Sequence, residues 1–415
     1  MSESLSATSH HSANHNNPKG RNQYRATSIL DAIPDISDRL QTYINQGARQ
    51  KDIPRLLERD CNEIISLSSV KKLMKKFNIV SVYRPQQSAV DQGSAILKVL
   101  DEDPLGRLGC RSVKEKLALQ GVHVTRDFTM KFMQAENPSL TAGRHPQTRK
   151  THKHTLWSSG PNEEWCLDGH EKILLSMGIA VYGIIDKFSR MELDLVAVPN
   201  ARDRMPLSTT SDKGSEVGQL ISLVQALRKK NQPYISEDQV PSHSAVKSLH
   251  NITRERGWRP IWEKTLANIL HFFRTGQGDA GYQANDGFHV ALGQWLWAKI
   301  VQKQLDQLLI ENQYHRVRGQ LKTLLPSDAR HIDIYTMPED YGAQDQKIPI
   351  PSEDVDKLLA EYDDSSLFQF VSPELDILFT DLYSSIDTPA LSPSVGWSIF
   401  HQMLSLHLLR RAQSM

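Results

Sequence analysis

At 415 residues the chain is long enough for two or three domains, and 39% hydrophobic with 23% charged residues is ordinary for a soluble globular protein. No run of about eighteen apolar residues occurs, which argues against a helical membrane span, and MSESLSATSHHSANHNNPKG lacks the basic and apolar regions of a secretory signal. Cys61, Cys110 and Cys166 lie far apart without a CxxC pair, so neither a disulfide framework nor a cysteine-based zinc site is expected, and a reducing intracellular compartment fits better.

A net charge of +1 conceals an asymmetry: residues 1–160 carry 24 Lys+Arg against 15 Asp+Glu, while 161–415 carry 25 against 33. A basic N-terminal half suits contacts to a polyanion, because each neutralised phosphate releases counterions; a solvated charged surface explains the balance equally well.

Residues 1–28 are Ser/His/Asn-rich without apolar periodicity and read as a disordered tail. SDRLQTYINQGARQKDIPRLLERD reads as two helices around a turn at Gly47. SLSSVKKLMKKFNI opens on Ser N-cap candidates, sets Val70, Leu73, Met74 and Phe77 on one helical face, and leaves Lys71, Lys72, Lys75 and Lys76 off it. This unit, 29–84, has the layout of a helix-turn-helix whose last helix is basic. A second such unit spans 90–136: one helix carries Val113 and Leu117 and ends at Gln120-Gly121, and another starts at Thr125 with Phe128 and Phe132 on one face. Residues 137–160 form a basic linker in which Arg144, Arg149, Lys150 and Lys153 could track a DNA backbone.

From Trp165 the pattern turns to strands: EWCLD ending at Asp168, then KILLSMGIAVYGIIDKFSR, then MELDLVAV, a three-strand meander. PLSTTSD supplies a fourth strand ending at Asp212, SEVGQLISLVQALRKK a helix, and 258–325 is mostly helical with Trp295 and Trp297 as core residues. The rest, 331–415, is acidic and Pro-punctuated, a loosely packed region ending in the helix WSIFHQMLSLHLLRRAQ.

Asp168, Asp212 and Glu255, the last on the expected helix SLHNITRERGW, are candidates for one acidic cleft. Clustered carboxylates repel one another unless cations neutralise them, and Mg²⁺ or Mn²⁺ in a two-metal arrangement would serve phosphoryl transfer. Read alone, Asp212 is equally a strand-end turn residue.

The blocks WCLDGHEKI, VYGIIDKFSR, VPNAR, TSDKGSE and SLHNITRERGW resemble the integrase core domain of fungal, transposon-derived proteins, and in order and spacing the wider group of DDE transposases and retroviral integrases. The likeness is strongest over 161–262, and ENQYHRVRGQLKTLLPSDAR is similar to the basic tail after that core. It implies an α/β, RNase H-like core over 161–330, a mixed sheet flanked by helices, preceded by all-α helix-turn-helix modules. It also implies Asp168, Asp212 and Glu255 as catalytic metal ligands, Asn251 and Trp258 as supporting residues, and Lys213 and Arg256 as DNA contacts. Glu263, outside the motif, is the alternative third acid. DNA is the implied partner, with a homo-oligomer possible, no membrane, and nuclear residence.

One departure stands out. Where the family places a helix between third and fourth strands, only PNARDRMP remains. Eight extended residues reach at most ~28 Å, against a crossover path of roughly 30 Å. A deleted core helix would leave the acids poorly preorganised. Two functions therefore stay open: an active polynucleotidyl transferase, or a catalytically inactive DNA-binding descendant. A relic that does not fold stably is a third possibility.

Overall fold

The computed structural model describes residues 29–136, 157–199, 229–230, 252–320, 324–347, 351–354, 356–357 and 368–413. The fourth strand, the following helix and the link after Pro199 lie outside these residues, as do the tail 1–28 and nearly all of the basic linker.

The first helical unit comprises α1 (Ile29–Ala32), α2 (Ile36–Asn45), α3 (Ile53–Cys61) and α4 (Leu67–Lys76). Gly47 at φ +75° reverses the chain after α2, and Ser66 caps α4 by accepting from the Ser69 amide. Leu40, Ile53, Leu56, Leu57 and Val70 make its core. The second unit contains α5 (Ala89–Asp101), α6 (Cys110–Leu119) and α7 (Arg126–Glu136). A Ser88–Asp91 capping box opens α5, and Ile96, Val113, Leu117 and Val124 form a separate cluster.

The sheet is a three-stranded antiparallel meander of β1 (Trp165–Leu174), β2 (Ile179–Asp186) and β3 (Glu192–Pro199), in that order. Two expectations need correction. Asp168 does not end β1 but is its fourth residue, because the strand pairs with β2 onward from Gly169 and His170 to Leu174. Similarly, KILLSMGIAVYGIID is not one strand: a 3₁₀ turn at Leu175–Met177 and Gly178 at φ +68° divide it. Gly178 suits this place doubly, since a Cβ there would lie 2.4 Å from Gln294 Nε2.

Helices cover one face of the sheet. α8 (Ile252–Ile261) holds Pro260 in its last turn and runs into a π-helical turn, Trp262–Leu266, before α9 (Ala267–Thr275). The long α10 (Gly287–Tyr314) lies against β3 and satisfies its outer edge: Gln302 Oε1 accepts from the Ala197 amide at 2.8 Å, Gln302 Nε2 donates to Leu195 O at 3.2 Å, and Asn312 Oδ1 accepts from the Glu192 amide at 2.8 Å. Among the described residues no strand pairs with this edge, and these side chains satisfy it instead.

Beyond α10 come α11 (His331–Thr336), α12 (Pro373–Ser384) and α13 (Gly396–Gln413). Rather than packing loosely, α12 and α13 contribute Phe379, Leu382, Trp397, Phe400 and Met403 to the main core with Trp295, Trp297 and Phe273. The segment around α11 clamps the first helical unit. Met337 enters its core, Arg49 makes a bidentate pair with Asp328, and Arg55 pairs with Glu339 and Asp340. Among the described residues no helix is long and apolar enough to cross a membrane.

Candidate active site

Asp168 of β1 is paired in register with Gly183 of β2, and Gly183 with Leu195 of β3. Residues directly opposite in antiparallel strands share a face, so this row runs acid, no side chain, leucine across the surface that α8 covers. The gap at Gly183 is filled from above: a Cβ there would lie 3.2 Å from Arg254 Nη1 and 2.7 Å from Leu195 Cδ2. Gly257, one turn after Arg254, permits similar closeness, since its Cβ would stand 3.2 Å from Glu192 Oε1. Two glycines therefore seat α8 against the sheet.

Arg254 is fully buried and its Nη1 donates to Oε2 of Glu192, itself 2% exposed. Arg254 Nε and Nη2 have no hydrogen-bond partner among the described residues, but the guanidinium carbon lies 4.1 Å from the centre of a Trp258 ring, four residues along the same helix face. Burial pushes the Glu192 carboxyl upward, opposed by the Arg254 charge and its hydrogen bond. Trp258 is buried, and its Nε1 donates to Asp168 Oδ2 at 2.9 Å, while the Gly169 amide donates to Asp168 Oδ1 at 3.0 Å. A continuous chain of contacts thus runs Glu192, Arg254, Trp258, Asp168.

Asp168 is half-buried, its carboxylate is the kind of hard oxygen ligand that Mg²⁺ or Mn²⁺ takes, and the two donors named here are neutral N–H groups. Glu255 lies in α8 one turn before Trp258, although its side chain is outside the described residues. Asp212, Lys213 and Asn251 are outside them altogether, as are Arg144, Arg149, Lys150 and Lys153. Among the described residues no group of three His, Cys, Asp or Glu could hold a metal ion. Glu263 is engaged by Arg259 at 2.8 Å. Cys166, two residues before Asp168, is buried and its thiol is pushed up to about 12, mainly by burial, which removes it as a thiolate nucleophile at neutral pH.

Arg256 is exposed on α8, as are Lys71, Lys72, Lys75 and Lys76 on α4. Arg254 and Glu192 are absent from the sequence-based candidates. Their signal is weak in the chain, since TRER reads as a solvated charged stretch and MELD as the start of an alternating strand. The available hint was Arg254 four residues before Trp258, together with a glycine inside the β-rich run VYGIID.

Residues 157–327 match the family model described as an integrase core domain, a match that supports an integrase-core-domain protein. The described part is a mixed α/β structure with a small three-stranded antiparallel sheet and many helices, and the integrase core domain that it matches is RNase H-like. No curated protein and no solved structure matches the chain.

Proposed function

We propose that the chain binds DNA and, through Asp168, Asp212 and Glu255, cleaves a strand and joins a 3′-hydroxyl to a target phosphodiester. The observation that carries this reading is the 2.9 Å hydrogen bond from Trp258 to Asp168, which ties the strand acid to the helix bearing Glu255 within the family-matched segment. Mg²⁺ or Mn²⁺ bound by these acids would supply an activated water or hydroxyl and neutralise developing phosphate charge. Asp168 holds its place through the Gly169 amide and the indole. Arg256, exposed next to Glu255 in sequence, would meet the phosphate backbone, and the exposed α4 lysines would add contacts away from the acids. Helix-turn-helix recognition by the two N-terminal units, nuclear residence and descent from a transposable element belong to the same proposal.

The test is Mg²⁺- and Mn²⁺-dependent nicking of plasmid DNA by the wild type beside Asp168→Asn, Asp212→Asn and Glu255→Gln. Nicking that falls to background in each variant is expected. A second reading, an inactive DNA-binding descendant, is favoured by the exposure of all four α4 lysines, which would bind DNA whatever the acids do. Metal-independent DNA binding without nicking by the wild type would establish that reading and end the first.

A further inference from the structure

We propose that Glu192 and Arg254 are positioning residues: they fix the Trp258 indole, and through it hold the Asp168 carboxylate in the orientation a cation requires. The inference deepens the proposed function, resting on Asp168 as a ligand.

A buried ion pair is a poor way to gain stability, because desolvating two charges offsets most of their attraction, and an apolar pair of similar volume would serve as well. Here the pair is specific in shape. Gly183 opens the sheet beneath Arg254 and Gly257 opens the helix beside Glu192, so the space is fitted to a planar guanidinium bonded at one end to a carboxylate. Nε and Nη2 of that guanidinium go without hydrogen-bond partners among the described residues, a cost tolerated while its plane lies by the indole. The indole has one polar atom, and it is bonded to Asp168. An aliphatic residue at 254 would fill the volume but give no charge–quadrupole preference for one ring orientation. Groups that orient a metal ligand from behind commonly change metal affinity or activity on the order of 10–100-fold when altered.

The experiment uses the full chain labelled with ¹⁵N-tryptophan, the Trp258 indole resonance being assigned by its absence in Trp258→Phe. Arg254→Lys keeps the charge opposite Glu192 and removes the planar face. Should that variant not fold, Glu192→Gln/Arg254→Gln removes both charges together and strands neither. In whichever variant folds, the Trp258 indole N–H signal is expected to shift or broaden while the other indole signals stay in place. Mn²⁺ affinity, measured by calorimetry, should fall about tenfold or more, with DNA affinity in the absence of metal unchanged. An unmoved Trp258 signal in a folded variant overturns the inference and leaves the pair a clamp between helix and sheet. A shifted signal with unchanged Mn²⁺ affinity overturns it equally. If the wild type binds no Mn²⁺, the proposed function fails at Asp168, and the indole signal alone decides whether the pair sets Trp258.

Discussion

Replacing Arg254 with Met is expected to destabilise the sheet and its covering helix by about 3–5 kcal/mol at neutral pH, the range for stranding one partner of a buried ion pair. The structure argues for that full range, since Glu192 is 2% exposed and Arg254 is its ion-pair partner among the described residues. The effect should depend on pH. Burial already raises the Glu192 carboxyl against the opposing pull of Arg254, so the folded value lies above the unfolded one. A group raised in this way favours folding below its unfolded pKa, and that contribution is lost as pH rises through the folded value. Removing Arg254 raises the carboxyl further, so the penalty should shrink on going from pH 7.5 to pH 5.5, as Glu192 enters the folded state protonated. Native-state hydrogen exchange of peptides covering 179–199 reads the local opening free energy. At tenfold per ~1.4 kcal/mol, the variant should exchange roughly two to four decades faster than wild type at pH 7.5, and by a smaller factor at pH 5.5 after correction for intrinsic rates. Equal acceleration at both pH values would refute the reasoning: the cost would then be poorer packing against Trp258, not a stranded charge.

The α4 lysines are exposed, so Lys71, Lys72, Lys75 and Lys76 changed together to Ala should leave the melting temperature within a degree or two while weakening DNA binding. Anisotropy titrations across a salt series should show the steepness of log K against log salt falling by about 0.9 for each lysine that had neutralised a phosphate. Gln302→Ala uncovers the Ala197 amide and Leu195 carbonyl at the β3 edge, expected to cost about 1–3 kcal/mol if they remain buried and unpaired, visible as faster exchange of residues 195–197. Met337→Ala removes a side chain that α11's segment inserts into the first helical unit, and should loosen that unit by about 2–5 kcal/mol, read as increased exchange over 53–76 without change over 179–199.

Much of this architecture is legible wherever local chemistry and burial point the same way. In α4 the Ser66 cap, the stripe of Val70, Leu73 and Met74, and the lysines off that stripe all agree. In α6 and α7 the same holds for Val113, Leu117, Gly121 and Thr125. The meander is legible because β-branched and aromatic residues fill VYGIID and LDLVAV. The first strand boundary is not, because DGHEK looks like a turn while ILLSMGI is apolar straight through a real one at Gly178. The role of 373–413 is hidden for another reason. Its exposed positions mix polar, acidic and apolar residues without a clear periodicity, and the aromatic residues that join the core, Phe379, Trp397 and Phe400, are spaced widely enough to need α10 as a partner before they form a face. At the site, Asp168 and Trp258 can be named from their motifs, but the contact between them depends on how α8 sits on the sheet.

That seating explains why charge lies beneath the candidate site. By itself α8 is a weak platform: ten residues, a proline in its last turn, and a π-helical turn directly after it. A short helix interrupted in this way gains little order from its own hydrogen bonds and must take its position from what it packs on. Apolar contacts from Trp258 and Ile261 give adhesion without fixing rotation or slide. A carboxylate–guanidinium bond fitted between Gly183 and Gly257 does fix them, because displacement by an ångström would break a charged hydrogen bond in a site closed to water. The helix face presenting Trp258 is then set relative to β1 by the fold itself. The proposed site, drawing its acids from separate segments, would need that order most at the element least able to supply it alone.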